Sequence, residues 1–162
     1  MNAETGIRMT FVAVVLTFCL LTLEQSASAE SRDRDCKQAK GKLIDVNSGN
    51  AVLGTITNAG ILNGTTETIF NSPGFPTPDP TVVTFSGNFT ITTLHGQLKA
   101  SNVYLYDLAT GHVTVMSRIH PDTSTGRFAG ATGVLFFSGK TVSTNPFTVQ
   151  TDIAGEVCLA ND

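Results

Sequence analysis

The sequence predicts an all-β protein, an eight-stranded antiparallel β-barrel, on three observations. From Ala51 onward, segments rich in Thr, Val and Phe alternate apolar with polar residues at period two, the period of a pleated strand. The connections between them are short and rich in Gly, Asn and Pro, and no stretch beyond residue 29 has helical periodicity. Finally, so Thr- and Val-rich a sheet would present exposed edges unless it closed on itself.

The chain of 162 residues begins with a polar lead, Met1 to Arg8, followed by an uncharged apolar run, Met9 to Leu23, and by Ala27-Ser28-Ala29. That order is a signal peptide with a small-x-small cleavage site, so residues 1–29 are expected to be removed and the protein secreted. The run is shorter than the roughly 20 residues that span a bilayer, and no later stretch approaches that length, so no stable membrane association is expected. Cys19 lies mid-run after Phe18, where a lipoprotein signal wants a small residue.

Removing residues 1–29 takes Arg8, Glu4 and Glu24 from the ten basic and thirteen acidic residues, leaving a formal balance of −2. Nothing in that balance attracts nucleic acid. Residues 30–42 mix both signs and read as a solvated N-terminal arm, leaving 43–162 as the single barrel domain.

Leu43 to Val46 is the first strand, and Asn47-Ser48-Gly49-Asn50 is a turn of residues that tolerate positive φ. Ala51 to Asn58 and Ile61 to Phe70 form a hairpin around Asn58-Ala59-Gly60. Asn71 to Pro80 holds four of the six prolines, which bars it from a central strand and makes it a loop, long enough for a lid or a stiff connection. From Thr81 to Leu94 the alternation is clean, with Val83, Phe85, Phe89 and Ile91 on one face. Leu98 to Asp107 and His112 to Ile119 follow, joined at Leu108-Ala109-Thr110-Gly111.

The central strand of this reading is Gly126 to Gly139, apolar on both faces and spaced by glycines suited to tight coiling. After Asn145-Pro146 the last strand alternates Phe147, Val149, Thr151, Ile153 and Val157 with polar residues, and ends at Cys158. With eight strands running up and down, the start of the first lies beside the end of the last. Cys36 and Cys158 stand at those two places, and in a secreted chain they are read as one disulfide. Closing a loop on the order of 120 residues is worth about 4 to 5 kcal/mol in the chain-entropy treatment.

No nucleophile motif, Gly-rich phosphate loop or metal spacing is present, and no cofactor is called for. His95, His112 and His120 each fall at a strand end or beside a turn, where a surface role is expected. Glu67, among Thr65, Thr66 and Thr68, is the weak catalytic candidate: facing inward, its pKa would be raised by desolvation and it could act as acid or base. Phe85, Phe89, Tyr104 and Tyr106 are the pocket candidates, the two tyrosines sharing a face with Leu98 and Ala100.

Gly126-Arg127-Phe128-Ala129-Gly130-Ala131-Thr132-Gly133, with Thr92-Thr93-Leu94-His95-Gly96-Gln97-Leu98, Gly54-Thr55-Ile56-Thr57-Asn58 and Leu62-Asn63-Gly64-Thr65, resembles the bacterial secreted members of the allene oxide cyclase barrel-like group, related to plant dirigent proteins. The resemblance covers roughly Ala51 to Cys158, with Gly126, Phe128, Gly130, Ala131 and Gly133 as its signature. It implies a calycin-like barrel with a central cavity and, since such families often trimerise, a homotrimer or other homo-oligomer. The plant cyclase relies on a carboxylate early in its barrel that holds a polar network around an apolar pocket. Here the first strand offers only Asp45.

Two functions follow as expectations. One is a non-catalytic secreted barrel that binds a small apolar molecule; the other is an isomerase, a cyclase or stereochemical guide, whose cavity shapes a reactive apolar substrate. A perturbed ionisable group in the cavity favours the second and a purely apolar interior the first, towards which the reading leans because fold alone does not carry function.

Overall fold

A computed structural model of the protein describes residues 35–49 and 51–160. The expected signal peptide, Cys19 and the first residues of the expected arm lie outside the described residues. Among the described residues, nine strands follow in chain order: β1 (Asp35–Asn47), β2 (Val52–Thr57), β3 (Gly64–Phe70), β4 (Phe75–Pro76), β5 (Val82–Thr93), β6 (Gly96–Asp107), β7 (His112–Ile119), β8 (Thr132–Thr144) and β9 (Phe147–Leu159). They form one antiparallel sheet in the order β3-β2-β1-β9-β8-β7-β6-β5-β4, and β3 also pairs with β5. That extra pairing, from Gly64↔Thr93 to Phe70↔Gly87, closes an eight-stranded barrel. β4 stays outside the ring and pairs only with Val83 and Thr84 of β5, an edge position that a proline tolerates.

Alternation decides what fills the barrel. On β6, Leu98, Ala100, Asn102 and Tyr104 are buried while Ser101, Val103 and Leu105 face out. On β7, Val113, Val115, Ser117 and Ile119 point inward in the same way. The seam between the first and last strands runs from Asp35↔Leu159 to Val46↔Thr148 and contains Cys36↔Cys158, which are joined as a disulfide with Cα atoms 3.8 Å apart.

Two sequence-based boundaries are corrected. The first strand begins at Asp35, not Leu43, so residues 35–42 belong to the barrel instead of a solvated arm. Its inward residues there are small, Ala39 and Gly41, and give no apolar alternation; the long ladder with β9 supplies the order instead. The signature segment is likewise not one strand from Gly126 to Gly139. Gly126–Phe128 is a 3-10 turn, Gly126 and Gly130 take φ of 61° and 71°, and β8 starts only at Thr132. Gly126 is required by a close approach: its Cα lies against the backbone of His95 and Gly96, where a Cβ would collide.

The turn has a structural purpose. Up-and-down order puts the β2–β3, β5–β6 and β7–β8 connections at one end of the barrel. There Phe128 and Ala131 are fully buried, Leu62 of a second 3-10 turn (Gly60–Leu62) is 2% exposed, and Ile91, Leu98 and Val157 pack into the same core. Backbone bonds from Arg127 N to His95 O (2.8 Å) and from Thr125 N to Gln97 O (2.8 Å) hold the turn in place. This end is plugged, and the opposite end is where space remains.

Candidate functional site

The open half of the barrel holds a cavity of about 460 Å³, within the range of sites that take small molecules. Its walls come from six of the eight barrel strands: Leu43 and Asp45 on β1, Phe85 and Phe89 on β5, Asn102, Tyr104 and Tyr106 on β6, Val113 and Val115 on β7, Phe137 on β8, and Val149 and Thr151 on β9. Its mouth is formed by Asn47, Val52 and Phe147, with Phe70 and Ser72-Pro73-Gly74 from the proline-rich connection. That connection thus borders the cavity. Two hydrogen bonds fix its start, Asn71 N to Ser86 O at 2.9 Å and Ser86 N to Ser72 Oγ at 3.3 Å.

The aromatic part of the wall is a packed cluster. Phe85 stacks on Tyr104 with centroids 4.8 Å apart, and Phe70 packs close to perpendicular to both, at 5.0 and 5.6 Å. Phe89 meets Phe137 edge-on at 5.5 Å, and Tyr106 meets Phe147 at 6.1 Å. Phe85, Phe89, Tyr104 and Tyr106 all line the cavity, because alternation on β5 and β6 puts each on the inward parity.

Polar groups are few and specific. Asn102 Nδ2 donates to the Tyr104 hydroxyl at 2.8 Å, and Tyr104 shares a second bond with Thr68 Oγ1 at 3.2 Å. The Tyr106 hydroxyl bonds Thr141 Oγ1 at 3.0 Å. Asp45 accepts a hydrogen bond from Thr66 Oγ1 at 3.2 Å. Burial pushes the Asp45 carboxyl up from 3.8 to about 6, an effect that the Thr66 hydroxyl only partly offsets. Burial also pushes the Tyr104 phenol up, and the nearby Asp45 charge adds to that shift. Asn102 Oδ1 and Thr151 Oγ1, on side chains 2% and 4% exposed, have no hydrogen-bond partner.

Glu67, the carboxylate that the sequence singled out, is not part of the site. It is exposed on the outer face of β3, while its neighbours Thr66 and Thr68 point inward and are buried. The parity of β3 runs against simple amphipathicity, because its inward threonines serve Asp45 and Tyr104. The inward carboxylate is Asp45, two residues from buried Leu43 on the same parity; that spacing was the available signal. Gly126, Phe128, Gly130, Ala131 and Gly133 belong to the plugged end or the start of β8 and do not line the cavity.

His95, His112 and His120 are exposed, and His120 Nε2 lies 2.7 Å from Ser101 Oγ. Among the described residues, the grouping of His, Cys, Asp and Glu atoms close enough to hold a metal ion is Cys36, Glu156 and Cys158, whose two sulfurs are bonded to each other. No helix among the described residues is long and apolar enough to cross a membrane. In comparisons with known proteins, the chain matches no family model, no curated protein and no solved structure.

Proposed function

We propose that the protein is a secreted barrel, of the allene oxide cyclase and dirigent type, that binds a small and largely apolar molecule in the open half of its interior. The observation that carries this reading is the cavity itself: an aromatic and aliphatic wall, open at one end, with a small set of polar groups that would orient a guest. The disulfide supports an oxidising destination. The signature turn supports the resemblance only through its role as the plug of the barrel.

The test uses Nile red, an uncharged apolar dye whose fluorescence rises in apolar surroundings. The protein should bind it, and Val115→Trp, which places a large ring in the cavity, should abolish the signal while leaving the β-sheet circular dichroism unchanged. Equal dye binding by the variant would place the apolar site elsewhere and sink this reading.

Asp45 favours a second reading, an isomerase. A carboxyl group poised at about 6 donates and accepts protons near neutral pH, and an apolar cavity would shield a reactive intermediate from water. Asp45→Asn tests this: loss of turnover with retained binding supports Asp45 as the acid or base, and unchanged turnover removes it from that role.

A further inference from the structure

The charges of the cavity are one-sided. Asp45 is the carboxylate of its wall, and the lining residues include no Lys, Arg or His. Nor does a cation reach Asp45 from the strands around it. β2 carries no titratable side chain; Glu67 of β3, Lys40 and Lys42 of β1, and Asp152 and Glu156 of β9 are exposed on the outer face, where Lys42 is already paired with Asp152 at 2.8 Å. The other titratable groups of the wall are the phenols Tyr104 and Tyr106. A partly buried carboxylate without a counter-charge is unfavourable, and a ligand that supplies one relieves part of that cost.

The unfilled hydrogen-bonding capacity has the same sense. The amide donor of Asn102 is used by Tyr104, and the atom left over is the carbonyl oxygen, an acceptor. Phe70, Phe85 and Tyr104 line the same cavity as Asp45, and an aromatic ring face attracts a cation.

We propose that the ligand is an organic cation, a molecule with an aromatic or aliphatic body and a protonated amine, whose ammonium group pairs with Asp45 while its body lies among Phe70, Phe85, Phe89 and Phe137. This rests on the reading of the cavity as a small-molecule site and names the chemistry of its guest. A carboxylate-bearing molecule of the same shape meets the Asp45 charge and is rejected; an alcohol keeps the apolar contacts but forgoes the ion pair.

The experiment is displacement of Nile red by three molecules of matched size, phenylbutylammonium, phenylbutanol and phenylbutyrate, at about pH 7.5 and about pH 5. At the higher pH the ammonium should displace the dye at a concentration at least about tenfold below the alcohol, with the carboxylate weakest. At the lower pH most of the Asp45 carboxyl is protonated, and the advantage of the ammonium should shrink by about tenfold. Asp45→Asn should remove that advantage at both pH values and leave phenylbutanol unaffected. Equal displacement by the ammonium and the alcohol, or strongest displacement by the carboxylate, would overturn the cation assignment while leaving the apolar site intact. Failure of the dye itself to bind would overturn both.

Discussion

Asp45 and Thr66 meet across a strand that separates them. Gly54 of β2 is paired with Asp45 on one side and with Thr66 on the other, and because it has no side chain the Thr66 hydroxyl reaches Asp45 Oδ1 at 3.2 Å. A Cβ at Gly54 would collide with that carboxylate oxygen and lie 2.5 Å from Thr66 Oγ1 and 2.8 Å from the Ile44 carbonyl oxygen. The glycine therefore determines whether the barrel can hold the inward carboxylate of Asp45.

Gly54→Ala is accordingly expected to destabilise the protein by about 1–3 kcal/mol, the usual range for overpacking, and to displace Asp45 from Thr66. Denaturant unfolding measures the first effect and carboxyl-detected NMR titration the second. An alanine variant with unchanged stability and an unchanged Asp45 titration would show that the row is not closed by lack of space.

The Asp45 titration also sets a pH dependence of stability. Its folded pKa, about 6, lies above the ordinary 3.8, so the folded state holds the extra proton between those values. The contribution of this group is fully present below about pH 4 and is lost as pH rises through about 6. Asp45→Asn should remove that slope and raise stability near pH 7 by about 1–3 kcal/mol, allowing for the partial exposure of the group. Parallel stability curves for variant and wild type across this interval would contradict the shift.

Alternation was enough to group Phe85 with Phe89 and Tyr104 with Tyr106, since long strands with one buried face register directly in the sequence. It was not enough for the turn at Gly126 or the start of β1. An apolar run such as Gly126 to Phe137 satisfies a strand pattern even where two glycines at positive φ break the extended chain, and Ala39 and Gly41 are too small to mark an inward face. The polar site was harder to read still. Glu67 and Asp45 look alike as single acids among β-formers, and only the register across β1, β2 and β3 shows that Asp45 faces Thr66 inside while Glu67 faces out.

The Cys36–Cys158 bond lies at the plugged end of the β1–β9 seam, where the terminal strands would otherwise fray. Replacing both cysteines with Ser should lower stability by about 2–5 kcal/mol and the thermal midpoint with it. Dye binding at low temperature should persist, because the cavity lies at the opposite end. Two free thiols in non-reducing peptide mapping of the wild-type protein would refute the bond.

The outer face carries the remaining prediction. Across β6, β7, β8 and β9, Val103, Met116, Phe136 and Ala154 occupy one continuous row of strand partners, and the first three are 47%, 46% and 48% exposed, with Leu105 beside them at 48%. An apolar row of this kind on the outside of a barrel is the composition of an interface core, and a second copy of the same chain would cover it by presenting the same row. Of the pair Phe136 and Phe137, it is Phe136 that faces out; Phe137 is buried in the cavity wall. Phe136→Glu should therefore convert an oligomeric protein to monomers in sedimentation velocity at micromolar concentration, with the thermal midpoint and dye binding of the barrel retained. Val134, on the same face and only partly exposed, extends the row towards Arg118 and Glu156, its neighbours on β7 and β9. A wild-type protein that already sediments as a monomer would show that the exposed row is not a contact between copies.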